Sequence, residues 1–122
     1  MTSVIGVLER DDHRWVFLDA GVFSGLAETL GEAIRYHVSL VGGAVNEPAG
    51  PAVLAGPTCD SADIMYERHP VDLPLSLAVG DRLRFGAAGA YTTSYATRFN
   101  GFPELGMVVS GARVGERLTA VA

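Results

Sequence analysis

Apolar residues never run far in this chain, because fifteen glycines, six prolines and interspersed charges cut its 122 residues into short pieces. Pieces of about four to eight residues bounded by turn formers suit strands and tight connections, and leave little room for long helices. Val4 to Leu8 and Arg14 to Leu18 read as two strands joined by a polar turn at Arg10-Asp11-Asp12-His13. Trp15 and Phe17 fall on one side of the second strand and Val16 and Leu18 on the other, so both faces are apolar. After a break at Asp19-Ala20-Gly21, Leu26, Leu30, Ala33 and Ile34 have helical spacing while Glu28 and Glu32 lie off the stripe. That predicts one short helix, weakened by Gly31. Arg35 to Val41 alternates, with Tyr36, Val38 and Leu40 against Arg35, His37 and Ser39, which predicts a half-buried strand.

Ala52 to Ala55 reads as a short strand stopped by Gly56-Pro57, and Ala62 to Tyr66 as another. His69-Pro70 through Leu73-Pro74 reads as a linker, since two closely spaced prolines suit no element interior. Val79-Gly80-Asp81 turns into a strand from Arg82 to Phe85, and Tyr91 to Tyr95 reads as a further strand before Asn100-Gly101. Met107 to Val109 and Arg117 to Val121 are weaker candidates. The expected fold is mainly β: a single domain, residues 1–122, built as an antiparallel β-sandwich or Greek-key barrel with one short helix.

Composition narrows the function classes. Net charge is −5 with no basic stripe, which argues against nucleic acid as a partner. No apolar stretch is long enough to span a membrane, and Met1 to Ile5 lacks the pattern of a signal peptide. One cysteine, Cys59, precludes an internal disulfide and suits the cytoplasm. The apolar share is 48%, with mean hydropathy +0.25, which fits either a well-filled core or an exposed face that docks on a partner. All nine basic residues are arginines, so the chain has no side-chain amine.

On residue chemistry alone one cluster stands out: Gly56-Pro57-Thr58-Cys59-Asp60-Ser61. A thiol beside a carboxylate, just past a glycine-proline break, is competent for proton transfer. The same residues also suit a plainer arrangement, a small buried cysteine and an aspartate that stabilises a turn.

This segment, continued by Ala62-Asp63, resembles the Gly-Pro-x-Cys-Asp/Glu-Ser/Gly-x-Asp block of the pyridoxal-phosphate-dependent decarboxylases of ornithine, diaminopimelate and arginine. Three further blocks agree in order. Trp15 to Phe23 resembles that family's aromatic strand leading to Asp-Gly-Val-Tyr, and Val79-Gly80-Asp81 with the strand to Phe85 resembles its Val-Gly-Asp strand. Gly89-Ala90-Tyr91, followed by Phe99-Asn100-Gly101-Phe102, is similar to its Gly-Ala-Tyr and Phe-Asn-Gly-Phe ending. The likeness covers residues 4–103 and corresponds to the family's C-terminal sheet domain, without its barrel domain.

The resemblance implies that Cys59 returns a proton to carbon after CO2 leaves, and that Asp60 grips the distal amine of the substrate. It implies that Tyr91 donates its hydroxyl to the cofactor phosphate, that Phe99 and Phe23 border the substrate, and that Asn100-Gly101 shapes the adjoining loop. Asp60 with Ser61 is similar to the diamine-forming members. His37 stands where some members carry a second acid, so a diamine preference rests on Asp60; beside Arg35, a surface strand position suits His37 better than a ligand role. In the family the barrel supplies the lysine that binds pyridoxal phosphate, and the sheet completes the site across a homodimer interface. This chain has no lysine, so pyridoxal phosphate is expected only if a barrel partner provides one.

The leading expectation is therefore a sheet domain that completes the site of an ornithine- or lysine-like decarboxylase, in polyamine or amino-acid metabolism, with a separate barrel subunit or domain. Two alternatives stay open: cofactor-independent lyase, isomerase or cyclase chemistry on Cys59 and Asp60, and a non-catalytic regulatory module. A homo-oligomer is expected. The family's sheet also borrows a strand from before the barrel, and without it one edge would need a cover.

Overall fold

A computed structural model of the chain describes residues 1–108. Its centre is a curled seven-stranded sheet. In chain order the strands are β1 (Thr2–Arg10), β2 (His13–Leu18), β3 (His37–Leu40), β4 (Ala49–Ala55), β5 (Ile64–Met65), β6 (Val71–Pro74) and β7 (Arg82–Gly86). They lie in the order β3-β7-β1-β2-β4-β5, with β6 also paired to β4. All pairings are antiparallel except that of β2 with β4, which sets Trp15, Val16 and Phe17 beside Val53, Leu54 and Ala55. The mainly β class expected from the sequence is the one observed.

The β1–β2 hairpin turns at Asp11 and Asp12, both at positive φ, as a two-residue connection between Arg10 and His13 demands. Aspartate tolerates that conformation through its short polar side chain. A register shift between Val4 and Gly6 leaves Ile5 exposed while Val4 stays in the core. Val4, Val16, Leu18, Leu54, Met65, Leu73 and Leu83 pack together with almost no exposure, giving a core drawn from six strands. Val16 and Leu18 are fully buried, whereas Trp15 and Phe17 are half-buried on the opposite face. That second face borders the site described below.

The strand expected over Ala62 to Tyr66 shrinks to β5, after a 3-10 turn at Ser61–Asp63, and β4 starts at Ala49 rather than Ala52 because its first residues pair with β6; the connections depart further in three places. The stretch from Ala27 to Glu32 winds as 3-10 turns broken at Leu30 and Gly31, not as one regular helix. Gly31 at φ +61 lets the chain turn there, which a side chain would strain. Val71–Pro74 is strand β6 rather than linker: Pro70 stands just before it and Pro74 ends it, so neither ring interrupts the middle of the ladder. Thr92–Tyr95 is a four-residue helix, α1, rather than a strand. Tyr91 enters it at φ +61, and Ala96 just beyond pairs with Ser24, so docking onto the Phe23 segment overrides the strand propensity of Tyr and Thr. Met107 and Val108 form no strand, and Val109 and Arg117 to Val121 lie outside the described residues.

Two polar clamps hold connections to the sheet. Arg14 donates to the carbonyls of Pro74, Gly50 and Leu73 at 2.9, 2.9 and 2.7 Å, tying the start of β2 to β4 and β6. Glu32 accepts from the Arg68 and His69 amides at 2.7 and 3.3 Å and lies 2.7 Å from His69 Nδ1, pinning the kinked turn to the segment before β6. Desolvation pushes the Glu32 carboxyl up, but these partners outweigh it and hold it below the usual carboxylate range.

Candidate functional site

The end of β4 delivers the cluster that the sequence singled out. Ala55 closes the strand, Gly56-Pro57-Thr58 turns away from the sheet, and a 3-10 turn at Ser61–Asp63 leads back into β5. Cys59 lies on this loop at φ +59 with its side chain exposed. The plainer reading, a buried cysteine, is therefore overturned. Asp60 is also exposed; one carboxylate oxygen accepts from the Ala62 amide at 2.8 Å and caps the 3-10 turn. Its other oxygen makes no hydrogen bond or ion pair among the described residues. Asp60 thus both stabilises the turn and offers a free acceptor.

The aromatic residues named from the sequence meet here. Phe23 and Phe99 stack with centroids 4.2 Å apart at 24°. The amide and hydroxyl of Thr97 both donate to the Phe23 carbonyl, at 2.9 and 3.0 Å, and hold the two segments together. Asn100 then donates through Nδ2 to the Thr58 carbonyl at 2.8 Å, which joins the Phe-Asn-Gly-Phe block to the cysteine loop. Tyr91 lies apart from this group. It is 59% exposed, stacks on Tyr95 at 5.6 Å, and has no hydrogen bond or ring contact with the Cys59 loop among the described residues. His37 is exposed on β3, a surface strand residue.

On the flank of the loop, Leu8, Trp15, Phe17 and Ile64 wall a hollow of about 280 Å³ that Cys59, Asp60 and Ser61 also line. The hollow is apolar on the sheet side except for Arg10 of β1, and carries a thiol, the carboxylates of Asp60 and Asp63 and a hydroxyl on the loop side. An arrangement of this kind can bind an organic molecule and exchange a proton with it.

Sequence reasoning passed over Asp63, which is the deepest polar group at the site at 1% exposure. Its Oδ1 accepts from the Val22 amide at 2.8 Å, and its Oδ2 from the Thr58 amide and hydroxyl at 3.1 and 2.7 Å. A Cβ on Gly21 or on Gly56 would collide with this carboxylate, so both glycines are needed to admit it. The signal was present as the second acid-bearing position in the motif, but only the fold turns it inward.

An exposed thiol and carboxylate thus sit on the loop at the end of β4, linked through Asn100 to the segment that carries the Phe23–Phe99 stack. The family model described as the pyridoxal-dependent decarboxylase C-terminal sheet domain matches residues 1–89, and the chain belongs to that family. It is 31% identical over 102 residues to a lysine/ornithine decarboxylase of Selenomonas ruminantium, covering 84% of this chain and 24% of that protein. Among solved structures it is similar to the arginine decarboxylase of Paramecium bursaria Chlorella virus bound to agmatine, with 36% identity and a TM-score of 0.73 over 84% of this chain and 27% of that one. It is similar also to the lysine/ornithine decarboxylase of Vibrio vulnificus complexed with cadaverine, with 35% identity and a TM-score of 0.72 over the same 84% and 27%. The chain spans about a quarter of the length of these relatives. No helix of the described residues is long and apolar enough to cross a membrane.

Proposed function

We propose that this sheet completes the active site of a pyridoxal-phosphate-dependent decarboxylase of ornithine- or lysine-like amino acids, whose barrel and lysine lie outside these 122 residues. The barrel belongs either to a partner subunit or to another part of a longer polypeptide. The observation that carries this reading is the exposed Cys59-Asp60 pair, held next to the Phe23–Phe99 stack in a chain that contains no lysine. The residues present suit one side of the cofactor only. Tyr91 offers an exposed hydroxyl for the phosphate, and no side chain offers an amine for the aldehyde. When bound, pyridoxal phosphate supplies the electron sink that lets CO2 leave.

Around that chemistry the chain's own groups have separate tasks. Cys59 holds a proton on Sγ and gives it to carbon. Asp60 keeps one oxygen free for a substrate ammonium, and Phe23 with Phe99 excludes water from the aliphatic stem. Tyr91, exposed and apart from the cysteine loop, would hold the phosphate through its hydroxyl. A second copy of the chain is part of the same reading: exposed Ile5, Leu8, Phe99 and Phe102 need a cover, and one edge of β3 is without a strand among the described residues.

Two measurements test the proposal. Tagged chain is recovered from its own cells, and CO2 release from ornithine and lysine is assayed with and without the subunit that accompanies it. Activity is expected only with a lysine-bearing barrel present. There, Cys59→Ala should lower kcat by about a hundredfold or more, and Asp60→Ala should chiefly raise KM. The chain alone, treated with pyridoxal phosphate and borohydride, should carry no one-to-one adduct on an internal residue. Decarboxylation by the lone chain, or such an adduct, would overturn the proposal; turnover of another small molecule by the lone chain would favour cofactor-independent chemistry on Cys59 and Asp60.

A further inference from the structure

We infer that Asp63 is a positioning residue: through Thr58 and Val22 it fixes the backbone that presents the Cys59 thiol and the Phe23 ring. The inference rests on the proposed role of Cys59 for its catalytic meaning, while its geometry stands alone. A carboxylate removed from water is costly unless donors replace the water. Asp63 has three such donors, and all three come from the two segments that carry site residues: the Val22 amide next to Phe23, and the amide and hydroxyl of Thr58 next to Cys59. No arginine or histidine pairs with it among the described residues. Among the described residues its bonds therefore go to the two loops.

Thr58 is the relay. Its amide and hydroxyl go to Asp63, and its carbonyl accepts from Asn100, so every polar group it has is engaged on the residue just before the cysteine. Thr58 Oγ1 also lies 3.5 Å from the Asp60 amide, just after the cysteine. Among the described residues the one polar contact of Cys59 is from Sγ to the Pro57 carbonyl at 4.0 Å, and its backbone is in the left-handed region that disfavours a side chain. A residue with so little hold of its own, in a conformation that costs energy, stays there because its neighbours are pinned. The pin runs from Asp63 through Thr58. Gly21 and Gly56 complete it by leaving room for the carboxylate between the two loops.

The test uses alkylation of Cys59, the only thiol, in the whole 122-residue chain under native conditions across a pH series. Melting curves and circular dichroism are recorded beside it. Thr58→Val removes the hydroxyl, Thr58→Ser keeps it, and Asp63→Asn keeps the shape while placing a donor against donors. Arg14→Met is the control, because it cuts a clamp remote from the loop. Asp63→Asn and Thr58→Val should change the labelling rate at least fivefold and move its pH midpoint while the sheet stays folded. Thr58→Ser should match the parent within twofold, and Arg14→Met should lower the melting temperature yet leave labelling unchanged. If Asp63→Asn does not fold, Thr58→Val against Thr58→Ser decides the question alone. Parent-like labelling in Thr58→Val, or an equal change in Arg14→Met, overturns the inference. The readout needs neither barrel nor cofactor, so failure of the decarboxylase reading would leave this result standing, and the reverse.

Discussion

Cys59, Tyr91 and Asn100 all sit at positive φ, although none is glycine. Each stands on a segment that the resemblance links to chemistry, and a side chain there costs about 1–2 kcal/mol of backbone strain. For Cys59 the strain can be separated from the thiol. Cys59→Gly should be more stable than Cys59→Ala by about 1 kcal/mol in urea unfolding, since both lack the sulfur and only alanine keeps the strain. Equal stabilities would mean that the loop relaxes freely. Tyr36 gives a prediction in pH. Burial, then its hydrogen bond to Glu28 at 2.8 Å and the charges nearby, push its phenol up to about 12. The folded state therefore holds this proton more tightly than the unfolded chain, whose tyrosine titrates near 10. The stability it contributes is whole below about pH 10 and disappears as pH climbs through about 12. Tyr36→Phe should cost about 1 kcal/mol at neutral pH and flatten the alkaline fall in the melting temperature. Burial raises Tyr66 as well, so part of that fall should survive the substitution.

Among the elements, the kinked turn of Ala27–Glu32 depends on its last residue. The Glu32 carboxyl is held below its ordinary range, so its contribution is present above the unfolded value and is lost as pH falls through the folded one. The protection of the Arg68 and His69 amides against hydrogen exchange, relative to their intrinsic rates at each pH, should therefore fall as pH drops through the folded-state value, below the usual carboxylate range. Glu32→Gln should show the faster exchange already at pH 7, at a cost of about 1–2 kcal/mol. A variant whose exchange matches the parent at pH 7 would show the pin to be idle. The elements that the sequence revealed are those whose pattern is local: the β1–β2 hairpin through its turn residues, β3 through the alternation of Tyr36, Val38 and Leu40, and β7 after Val79-Gly80-Asp81. Those it hid are decided by distant contacts. Pro70 and Pro74 argued against a strand until β4 lay alongside, and Tyr91 to Tyr95 argued for one until Ala96 met Ser24. The site divides the same way. Cys59, Asp60, Phe23 and Phe99 are visible as a motif, whereas the inward turn of Asp63 needs Gly21 and Gly56 brought together across the fold.

In the molecule as a whole, several large apolar side chains lie open, Ile5, Leu8, Phe99 and Phe102 among them, and Leu8 borders the hollow at Cys59 and Asp60. At micromolar concentration the chain alone should scatter light as a dimer or larger, and Leu8→Glu should shift it toward the 12.8 kDa monomer. A monomeric parent would mean that these side chains tolerate water. The parallel pairing of β2 with β4 bears on time rather than on shape. A hairpin such as β1–β2 closes within about 1–10 μs, because its turn brings the partners together. No turn can guide β4 to β2: Trp15 must find Val53 after everything between them has been threaded through the turns and β3. Folding of this chain should accordingly take milliseconds to seconds, as in sheets ruled by non-local contacts. Trp15, the only tryptophan, sits in that pairing and can report it by stopped-flow fluorescence. Until β4 arrives, the far edge of β2 lies bare, and any other extended segment can take its place. Misassembly during synthesis is thus the cost of a sheet that places its thiol loop at the end of a strand with no hairpin to lead it home.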